Sequence, residues 1–324
     1  MHPANTLSLV ADVGGTNTRL ALAEGETLLP RTVRRYRNAD HAGLASVIET
    51  YLADEGGLDC AAAAVAVAGP VRDGIGTLTN LEWTFDKDVL ARATRAETVA
   101  VMNDLQAQGH AFDLVAAENQ TVIVEGPEPG PHAAKLVIGV GTGFNAAPVW
   151  DAEFGKLVPP SECGHANLPI RTEQELRLCS HLVDVHGFPA IEEVLSGRGL
   201  ERVYAFLGRE ADDPRERRAA EIAAAMNDGS DPRADETGKI FATMFGRVVG
   251  NLCLIHLPFG GVYLVGGVAR SMGPHLRRYG FIEALRAKGR FSGFMQNFGV
   301  TLLEDDYAAL TGLASHLTRI MPAR

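Results

Sequence analysis

The feature that most constrains the fold is a unit that occurs twice: a strand, a glycine turn and a second strand. In the first unit, apolar residues 7–13 precede the turn 14–17, and mostly apolar residues resume at 19–23. In the second unit, two strand-like stretches flank the glycine run 139–143. Turns of this kind expose backbone N–H groups, which can bind phosphate oxygens. The repeat therefore predicts two phosphate-binding turns, each between two strands of a sheet.

One carboxylate and two hydroxyls accompany these turns. Asp12 lies at the end of the first strand, where its carboxylate can hold a hydrated Mg²⁺ beside bound phosphate. Neither turn contains a lysine, so phosphate charge would be met by backbone dipoles, a metal ion and the hydroxyls of Thr16 and Thr142. The second turn lacks the last glycine of a GxGxxG motif, because Phe144 stands there, and it does not match GxxxxGKS/T. A Gly-Gly turn also closes ordinary hairpins, so the first turn alone leaves both interpretations open.

Strands and helices alternate after the first unit, and helices dominate the second half. Strands are predicted near 27–37, at 62–68 and at 98–102. Helical spacing is found at 42–53, 87–95, 173–185, 198–207, 214–226, 235–257, 281–287 and 307–320. At roughly 150 residues per domain, 324 residues correspond to about two domains. We therefore expect two domains of mixed α/β structure that share a cleft, which is a favoured place for a ligand.

Polar residues suited to a hydroxylated ligand follow strands or lie on predicted loops. Asn103 and Asp104 end a predicted strand, where the Asp104 carboxylate can accept a hydroxyl proton during phosphoryl transfer. The alternative for this pair is an Asx turn or a helix N-cap. Glu162 and His165 can hydrogen-bond vicinal hydroxyls, although His165 can equally be an ordinary loop histidine and Glu192 a surface carboxylate. Together with the two turns, these residues are what a kinase acting on a polyol needs.

Charge and cysteine content exclude several other classes. Lys and Arg total 30 against 40 Asp and Glu, and no basic run of five residues is present, so we expect no nucleic-acid partner. The four cysteines form no CxxC pair, which argues against a disulfide or zinc framework. The longest apolar run, 60–68, is too short to span a membrane, and no export signal is visible. We therefore expect a cytoplasmic protein with no membrane partner.

The order of the motifs resembles that of the bacterial glucokinases, which belong to the hexokinase and actin superfamily, and the resemblance runs from residue 9 to residue 317. It is carried by the segments ADVGGTN (11–17), LTNLEW (78–83), MNDLQA (102–107), GVGTGFNAA (139–147), ECGHANLP (162–169), EEVLSGRGL (192–200) and GGVYLVGGV (260–268). The resemblance implies a two-domain actin-like ATPase fold, also described as ribonuclease H-like. A small α/β domain, 1–115 with 303–324, and a larger α+β domain, 116–302, would flank a cleft. It also implies a homodimer.

The resemblance assigns roles to residues position by position. It implies that Asp104 is the general base for the sugar 6-hydroxyl and that Asp12 positions Mg²⁺ through water. The sugar would be bound by Asn103, Asp104, Glu162, His165 and Glu192. ATP would be bound by the first phosphate loop, the second phosphate loop and an adenosine-side turn, which correspond to Asp12, Val13, Gly14, Gly15, Thr16, Asn17, Gly141, Thr142, Gly143, Gly266 and Gly267. Cofactors would be ATP and Mg²⁺.

Three residues depart from the pattern of the family, which has glycine at each position. Ala11 precedes Asp12 and is a mild change in a regular strand. Asn145 ends the second loop, and asparagine tolerates left-handed backbone angles better than most residues. Cys163 separates Glu162 from His165, where its bulk can change sugar preference or affinity. The chain lacks the cysteine-rich zinc motif of the related repressor and kinase group, which argues against membership of that group.

The resemblance favours a glucokinase, which phosphorylates glucose to glucose 6-phosphate with ATP in the first step of glycolysis. One alternative is a kinase of the same fold that acts on mannose, fructose or an amino sugar. Another is a sugar-binding regulator that has lost catalysis. The presence of Asp104 argues against the regulator, because a binding module needs no base.

Overall fold

The computed structural model describes residues 6–78, 81–152 and 155–322, which form two units. Unit 1 comprises Met1–Ala116, Glu153–Pro160 and Asp305–Arg324, and unit 2 comprises Ala117–Ala152 and Ser161–Glu304. This division differs from the sequence-based one chiefly at Glu153–Pro160, which that prediction assigned to the larger domain. The Lys156 ammonium lies 2.7 Å from a carboxylate oxygen of Asp113, and this ion pair helps to tie the segment to unit 1.

Unit 1 is built on a mixed sheet, in which β1, β5 and β9 are parallel and β2 is antiparallel to β1, β3 and β4. Its strands lie in the order β3-β2-β1-β5-β9, with β4 beside β2. A smaller antiparallel sheet contains β6, β7 and β8. The bounds of the unit 1 strands are β1 Ser8–Val13, β2 Asn17–Glu24, β3 Thr27–Leu28, β4 Arg34–Arg37, β5 Ala62–Val67, β6 Val71–Arg72, β7 Ile75–Thr77, β8 Thr84–Phe85, β9 Thr98–Asn103 and β13 Gly155–Leu157. The strand predicted near 27–37 is interrupted by a 3-10 turn, Pro30–Thr32, because proline lacks the N–H that a sheet requires.

Helices cover both faces of the main sheet of unit 1. These helices are α1 Leu44–Asp54, α2 Lys87–Thr94, α3 Asp104–Ala111 and α10 Ala308–Ile320. One apolar cluster joins Leu9 and other β1 residues to α1 and α2, and a second joins Val10 to α10. Every residue of β5 is buried, as expected for a parallel strand covered on both faces. Helix α10 packs so closely on α3 that a β-carbon at Gly312 would lie 1.7 Å from the Ala107 carbonyl oxygen.

Unit 2 combines a mixed sheet with most of the helices. Its strands lie in the order β10-β15-β14-β11-β12, with bounds β10 Gln120–Val124, β11 Lys135–Val140, β12 Phe144–Ala152, β14 Val262–Val265 and β15 Val300–Leu303. Its helices are α4 Glu173–His186, α5 Gly197–Glu210, α6 Ala219–Asp228, α7 Pro232–His256, α8 Gly267–Leu276 and α9 Phe281–Arg286. One apolar core joins the sheet to these helices. Short 3-10 turns at Cys163–His165 and Ile191–Glu193 carry predicted site residues.

Helix α7 is long and apolar enough to cross a membrane, and it is the one such helix in the described part of the chain. Within its 18-residue apolar window, 72% is buried inside the protein. Phe241 and Phe245 on this helix pack edge to face in the core of unit 2. The apolarity of α7 is therefore explained by its place in that core.

Candidate active site

In unit 1, the register of the sheet brings the first glycine turn and Asn103 to one edge. Val13 pairs with Val67, and Val67 pairs with Asn103, in parallel ladders. Because the ends of β1 and β9 are separated by only one strand, they lie about 10 Å apart. The carboxyl ends of parallel strands are where α/β sheets bind ligands. The structure thus places the first turn and the Asn103-Asp104 pair together, as their strand-end positions predicted.

The first turn is held by Asn38, a residue that the sequence analysis missed. The Asn38 side-chain amide donates to the Gly14 carbonyl oxygen at 2.7 Å, and its backbone N–H donates to the Thr16 carbonyl oxygen at 2.9 Å. Its side-chain oxygen accepts from the Thr18 hydroxyl at 2.8 Å. Asn38 is buried, so these bonds satisfy its amide and hold the turn in one conformation. The Asn-Ala-Asp sequence at 38–40 carried no signal of this role.

Asp12 lies beside the first turn and opposite Arg19 on β2. Burial raises the pKa of the Asp12 carboxyl, and the nearby Arg19 opposes that rise. The described residues contain no group of three or more His, Cys, Asp or Glu side chains that could hold a metal ion. Mg²⁺ fits this arrangement, because it keeps several waters and needs only one or two carboxylates in addition to substrate phosphates. Asp12 is suited to hold such an ion through water.

Asn103 and Asp104 begin helix α3. The Asn103 side-chain oxygen accepts from the Gln106 N–H at 2.7 Å, and the Gln106 side chain accepts from the Asn103 N–H at 3.1 Å. This capping box shows that the helix-cap alternative is correct for Asn103. One carboxylate oxygen of Asp104 accepts from the Leu105 N–H at 2.8 Å. Asp104 thus lies in the first turn of α3, where a helix N-terminus is a favourable place for a negatively charged group.

In unit 2, two glycine turns meet at one sheet edge. Gly139 on β11 pairs with Val265 on β14, so the turn 141–143 and the Gly266-Gly267 turn follow neighbouring strands. Gly266 has φ +101°, and a β-carbon there would lie 2.5 Å from the Val140 carbonyl oxygen, so glycine is required. A β-carbon at Gly267 would meet nothing within 4 Å, so open space lies beside the first residue of α8. This arrangement suits an anionic ligand.

The Glu162–His165 loop packs against the strand that follows the second turn. A β-carbon at Gly164 would lie 1.9 Å from the Phe144 carbonyl oxygen, so only glycine allows this approach. Glu162 and His165 on either side of it are exposed, so both side chains are accessible to a ligand. Cys163, between them, is less exposed. Burial raises the pKa of its thiol, so the thiol stays protonated. The structure therefore presents the predicted Glu and His pair to solvent.

Glu192 lies close to both the loop and the second turn. A β-carbon at Gly143 would lie 2.9 Å from Glu192 Oε2. The Ile191 N–H donates to the Ala166 carbonyl oxygen at 2.9 Å, which connects the segment of Glu192 to the residue after His165. Unit 2 thus brings together the second turn, Glu162, His165 and Glu192. The predicted LTNLEW segment includes Thr79 and Asn80, which lie outside the described residues.

A cavity of about 530 Å³ lies between α5 and α6, beside the second turn. Four arginines and three glutamates line it together with Ala205: Arg198, Glu201, Arg202, Glu216, Arg217, Arg218 and Glu221. The Gly197 N–H donates to the Gly141 carbonyl oxygen at 2.9 Å, which joins the start of α5 to the turn. The sequence analysis missed this cavity, because only Arg198 lies within a segment that carries the resemblance.

Comparisons with known proteins show which family this chain belongs to. The family model for glucokinase matches residues 9–320. A glucokinase of Rhizobium etli is 32% identical over 317 residues, which cover 97% of this chain and 92% of that protein. A glucokinase structure from an Antarctic psychrotroph has 29% sequence identity and a TM-score of 0.83, and covers 96% of this chain and 98% of its own.

A glucokinase from Balamuthia mandrillaris, solved in complex with glucose, shares the fold at a TM-score of 0.79 and 23% identity, with 97% of this chain and 94% of that chain covered. The actin-like ATPase fold expected from the sequence is therefore confirmed. Because the family model and the Rhizobium relative both span nearly the whole chain, this protein belongs to the glucokinase family.

Proposed function

We propose that this protein transfers the γ-phosphoryl group of ATP to the 6-hydroxyl of glucose, forming glucose 6-phosphate and ADP. Its membership of the glucokinase family supports this reaction. The position of Asp104 supports the proposed roles of the site residues. Asp104 is the first residue of α3 and directly follows the end of β9. A general base must be unprotonated, and a helix N-terminus is a favourable place for a negatively charged group.

In this proposal, Asp104 accepts the proton of the 6-hydroxyl as its oxygen attacks the γ-phosphorus. The bond from the γ-phosphorus to the β–γ bridging oxygen breaks, and ADP leaves with that oxygen. A general base contributes typically about 10²- to 10⁴-fold, so orientation of the hydroxyl and electrostatic stabilisation must supply the rest. Asn103, Glu162, His165 and Glu192 would orient the sugar through hydrogen bonds to its hydroxyls.

Backbone N–H groups of the turns would bind the phosphates of ATP. We assign this role to Asp12–Asn17 in unit 1 and to Gly141, Thr142, Gly143, Gly266 and Gly267 in unit 2. A Mg²⁺ ion held by Asp12 through water would neutralise phosphate charge. The cavity beside the second turn would bind the nucleoside, since guanidinium groups such as that of Arg198 can stack on a base and Glu201 can accept hydrogen bonds. We also propose that the enzyme is a cytoplasmic homodimer.

Substitution of Asp104 tests the proposal. Asp104→Asn keeps the size of the side chain but cannot accept the proton, so kcat should fall by about 10²- to 10⁴-fold. Glucose binding measured by calorimetry should be largely retained. Asp88→Asn is the matched control, because Asp88 is exposed in the first turn of α2, and it should leave kcat unchanged. A wild-type protein that binds glucose but releases no ADP would instead support the silent regulator.

A further inference from the structure

Asn145 connects the second glycine turn to the loop that carries Glu162. It is the second residue of β12, and its backbone pairs with Gly139 of β11 at the base of the turn. Its side-chain amide donates to the Ser161 carbonyl oxygen, and its Oδ1 atom accepts from the Ala146 N–H at 2.8 Å. The backbone of Asn145 therefore belongs to the sheet, while its side chain bonds to the loop.

Further contacts hold the loop on both sides of Glu162. The Cys163 thiol donates to Asn145 Oδ1 at 3.6 Å, which is within the range for sulfur. The Ser161 hydroxyl donates to the Ala146 carbonyl oxygen at 2.6 Å and lies 3.1 Å from Asn145 Oδ1. Residues 161 and 163 are thus both attached to the start of β12, and Glu162 lies between them.

The residues that form these hydrogen bonds are partly shielded from water, which helps the bonds to hold the loop. Asn145, Ser161 and Cys163 are partly buried, whereas Glu162 is exposed. An amide hydrogen bond shielded from water holds a loop better than an exposed one. The buried contacts therefore fix the backbone on both sides of a carboxylate whose side chain remains free to bind a ligand. A small shift of this backbone would move the Glu162 carboxylate.

We infer that Asn145 is a positioning residue that sets the affinity for the sugar by holding Glu162 at a fixed place beside the second glycine turn. Asn145 acts through the loop and does not itself contact the reacting atoms. This inference rests on the proposed function, because it takes Glu162 to be a ligand of the sugar. It extends that function by naming a residue whose loss should affect the sugar and not the nucleotide.

Asn145→Ala removes the side-chain bonds of Asn145 to Ser161 and Cys163, so we expect the KM for glucose to rise about 10-fold or more. The KM for ATP should stay within about twofold of wild type, because the backbone of the turn is unchanged. Asn297→Ala is the matched control. The Asn297 amide donates to the Phe294 carbonyl oxygen at 2.7 Å in the same unit, so its loss should lower stability without changing the KM for glucose.

Cys163 provides a second test of the same contacts. Cys163→Ala alone should raise the KM for glucose less than Asn145→Ala does. In the double variant the two effects should not add, because the alanine at 145 has already removed the acceptor of the thiol. Cys163→Ser keeps a hydrogen-bond donor and should restore glucose affinity to near the wild-type value.

Three outcomes decide the inference. A folded Asn145→Ala protein with unchanged KM for glucose, or with an altered KM for ATP alone, would overturn it. If the alanine variant does not fold, Asn145→Asp carries the test, because it keeps the Oδ1 acceptor and replaces the donor to Ser161 with a carboxylate oxygen that cannot donate; unchanged glucose affinity there would also overturn the inference. If wild type shows no turnover, the proposed function fails, and calorimetric glucose binding by wild type and Asn145→Ala still measures the effect on affinity.

Discussion

Gly143 and Glu192 lie so close that a β-carbon at position 143 would be 2.9 Å from Glu192 Oε2. The second glycine turn, which we propose binds phosphate, therefore adjoins a proposed sugar ligand. Gly143→Ala should displace the Glu192 carboxylate and raise the KM for glucose as well as that for ATP, each by about 10-fold or more.

Gly141→Ala is the matched comparison within the same turn. A β-carbon there would meet nothing within 4 Å, so the protein should fold normally. The new methyl group would still obstruct close approach of phosphate, so the KM for ATP alone should rise. Steady-state kinetics with each substrate varied in turn measures both variants. Equal effects of the two substitutions on the KM for glucose would show that Gly143 does not constrain Glu192.

Asn103 caps α3 and is also a proposed sugar ligand, and two substitutions separate these roles. Asn103→Ala removes the cap and should lower the free energy of unfolding by about 1 kcal/mol. Asn103→Asp retains a capping oxygen, so its stability should stay near that of wild type. Both variants lose the amide donor and should bind glucose more weakly. Urea unfolding and glucose calorimetry make the comparison, and normal glucose binding by Asn103→Asp would leave Asn103 with a structural role only.

Ala205 lies in the wall of the cavity on α5, and a larger side chain there should fill it. Ala205→Trp should raise the KM for ATP by about 10-fold or more. A tenfold rise in KM corresponds to the loss of the binding free energy of a few good contacts. Glucose affinity should not change. Arg209→Trp places the same side chain on an exposed part of α5 and serves as the control. An unchanged KM for ATP in Ala205→Trp would place the nucleoside elsewhere.

Buried His110 and partly buried His316 form a ring pair in unit 1, with centroids 4.7 Å apart. Burial, the adjacent His316 and the cations Lys156 and Arg319 lower the pKa of His110 to about 3. Burial likewise lowers the pKa of His316, and Arg319 and Lys87 add to this effect. Unfolded histidine has a pKa near 6.5 and takes up a proton as pH falls below that value, while folded His110 stays neutral. The unfolded state therefore binds more protons, and stability falls between pH 6.5 and pH 3.

From His110 alone, the loss of stability between pH 7.5 and pH 5 should be about 2 kcal/mol. His110→Gln should remove this part of the pH dependence, whatever its effect on stability at pH 7.5. His132→Gln, at an exposed histidine, should leave the pH dependence as in wild type. Urea unfolding at both pH values gives the comparison. If the free energy of unfolding changes equally with pH in His110→Gln and in wild type, then His110 is protonated in the folded protein over this pH range.

Local signals in the sequence predicted the position of the candidate site residues in the fold better than they predicted the surrounding elements. Asn103 and Asp104 could be placed because an apolar strand runs directly into them, and the two glycine turns because strands flank them. Helix α8 was missed, since it begins at Gly267 and contains Pro274, both of which disfavour helices. Burial of its residues Met272 and Leu276 in the core of unit 2 outweighs that local preference.

Contacts between distant parts of the chain could not be predicted. Asn38 binds the turn at Gly14 from 24 positions away, and nothing in its own neighbourhood marks it. The cavity between α5 and α6 lies within one short stretch of the chain, but it arises only when these consecutive helices pack side by side. The hydrogen bond between Cys163 and Asn145 likewise joins residues that are not neighbours in the sequence. Both residues depart from the glycine of the family pattern, but nothing in the sequence indicates that their side chains meet.

The most direct test of the central claim is ADP release by the purified protein with Mg²⁺ and ATP, across glucose, mannose, fructose and N-acetylated sugars. Mass spectrometry and NMR would establish where the product carries its phosphate. We predict that glucose is the best substrate and that its 6-hydroxyl is phosphorylated. Preferred turnover of another sugar would contradict the assignment of glucose. No turnover of any sugar by folded protein that still binds one would contradict the enzyme itself.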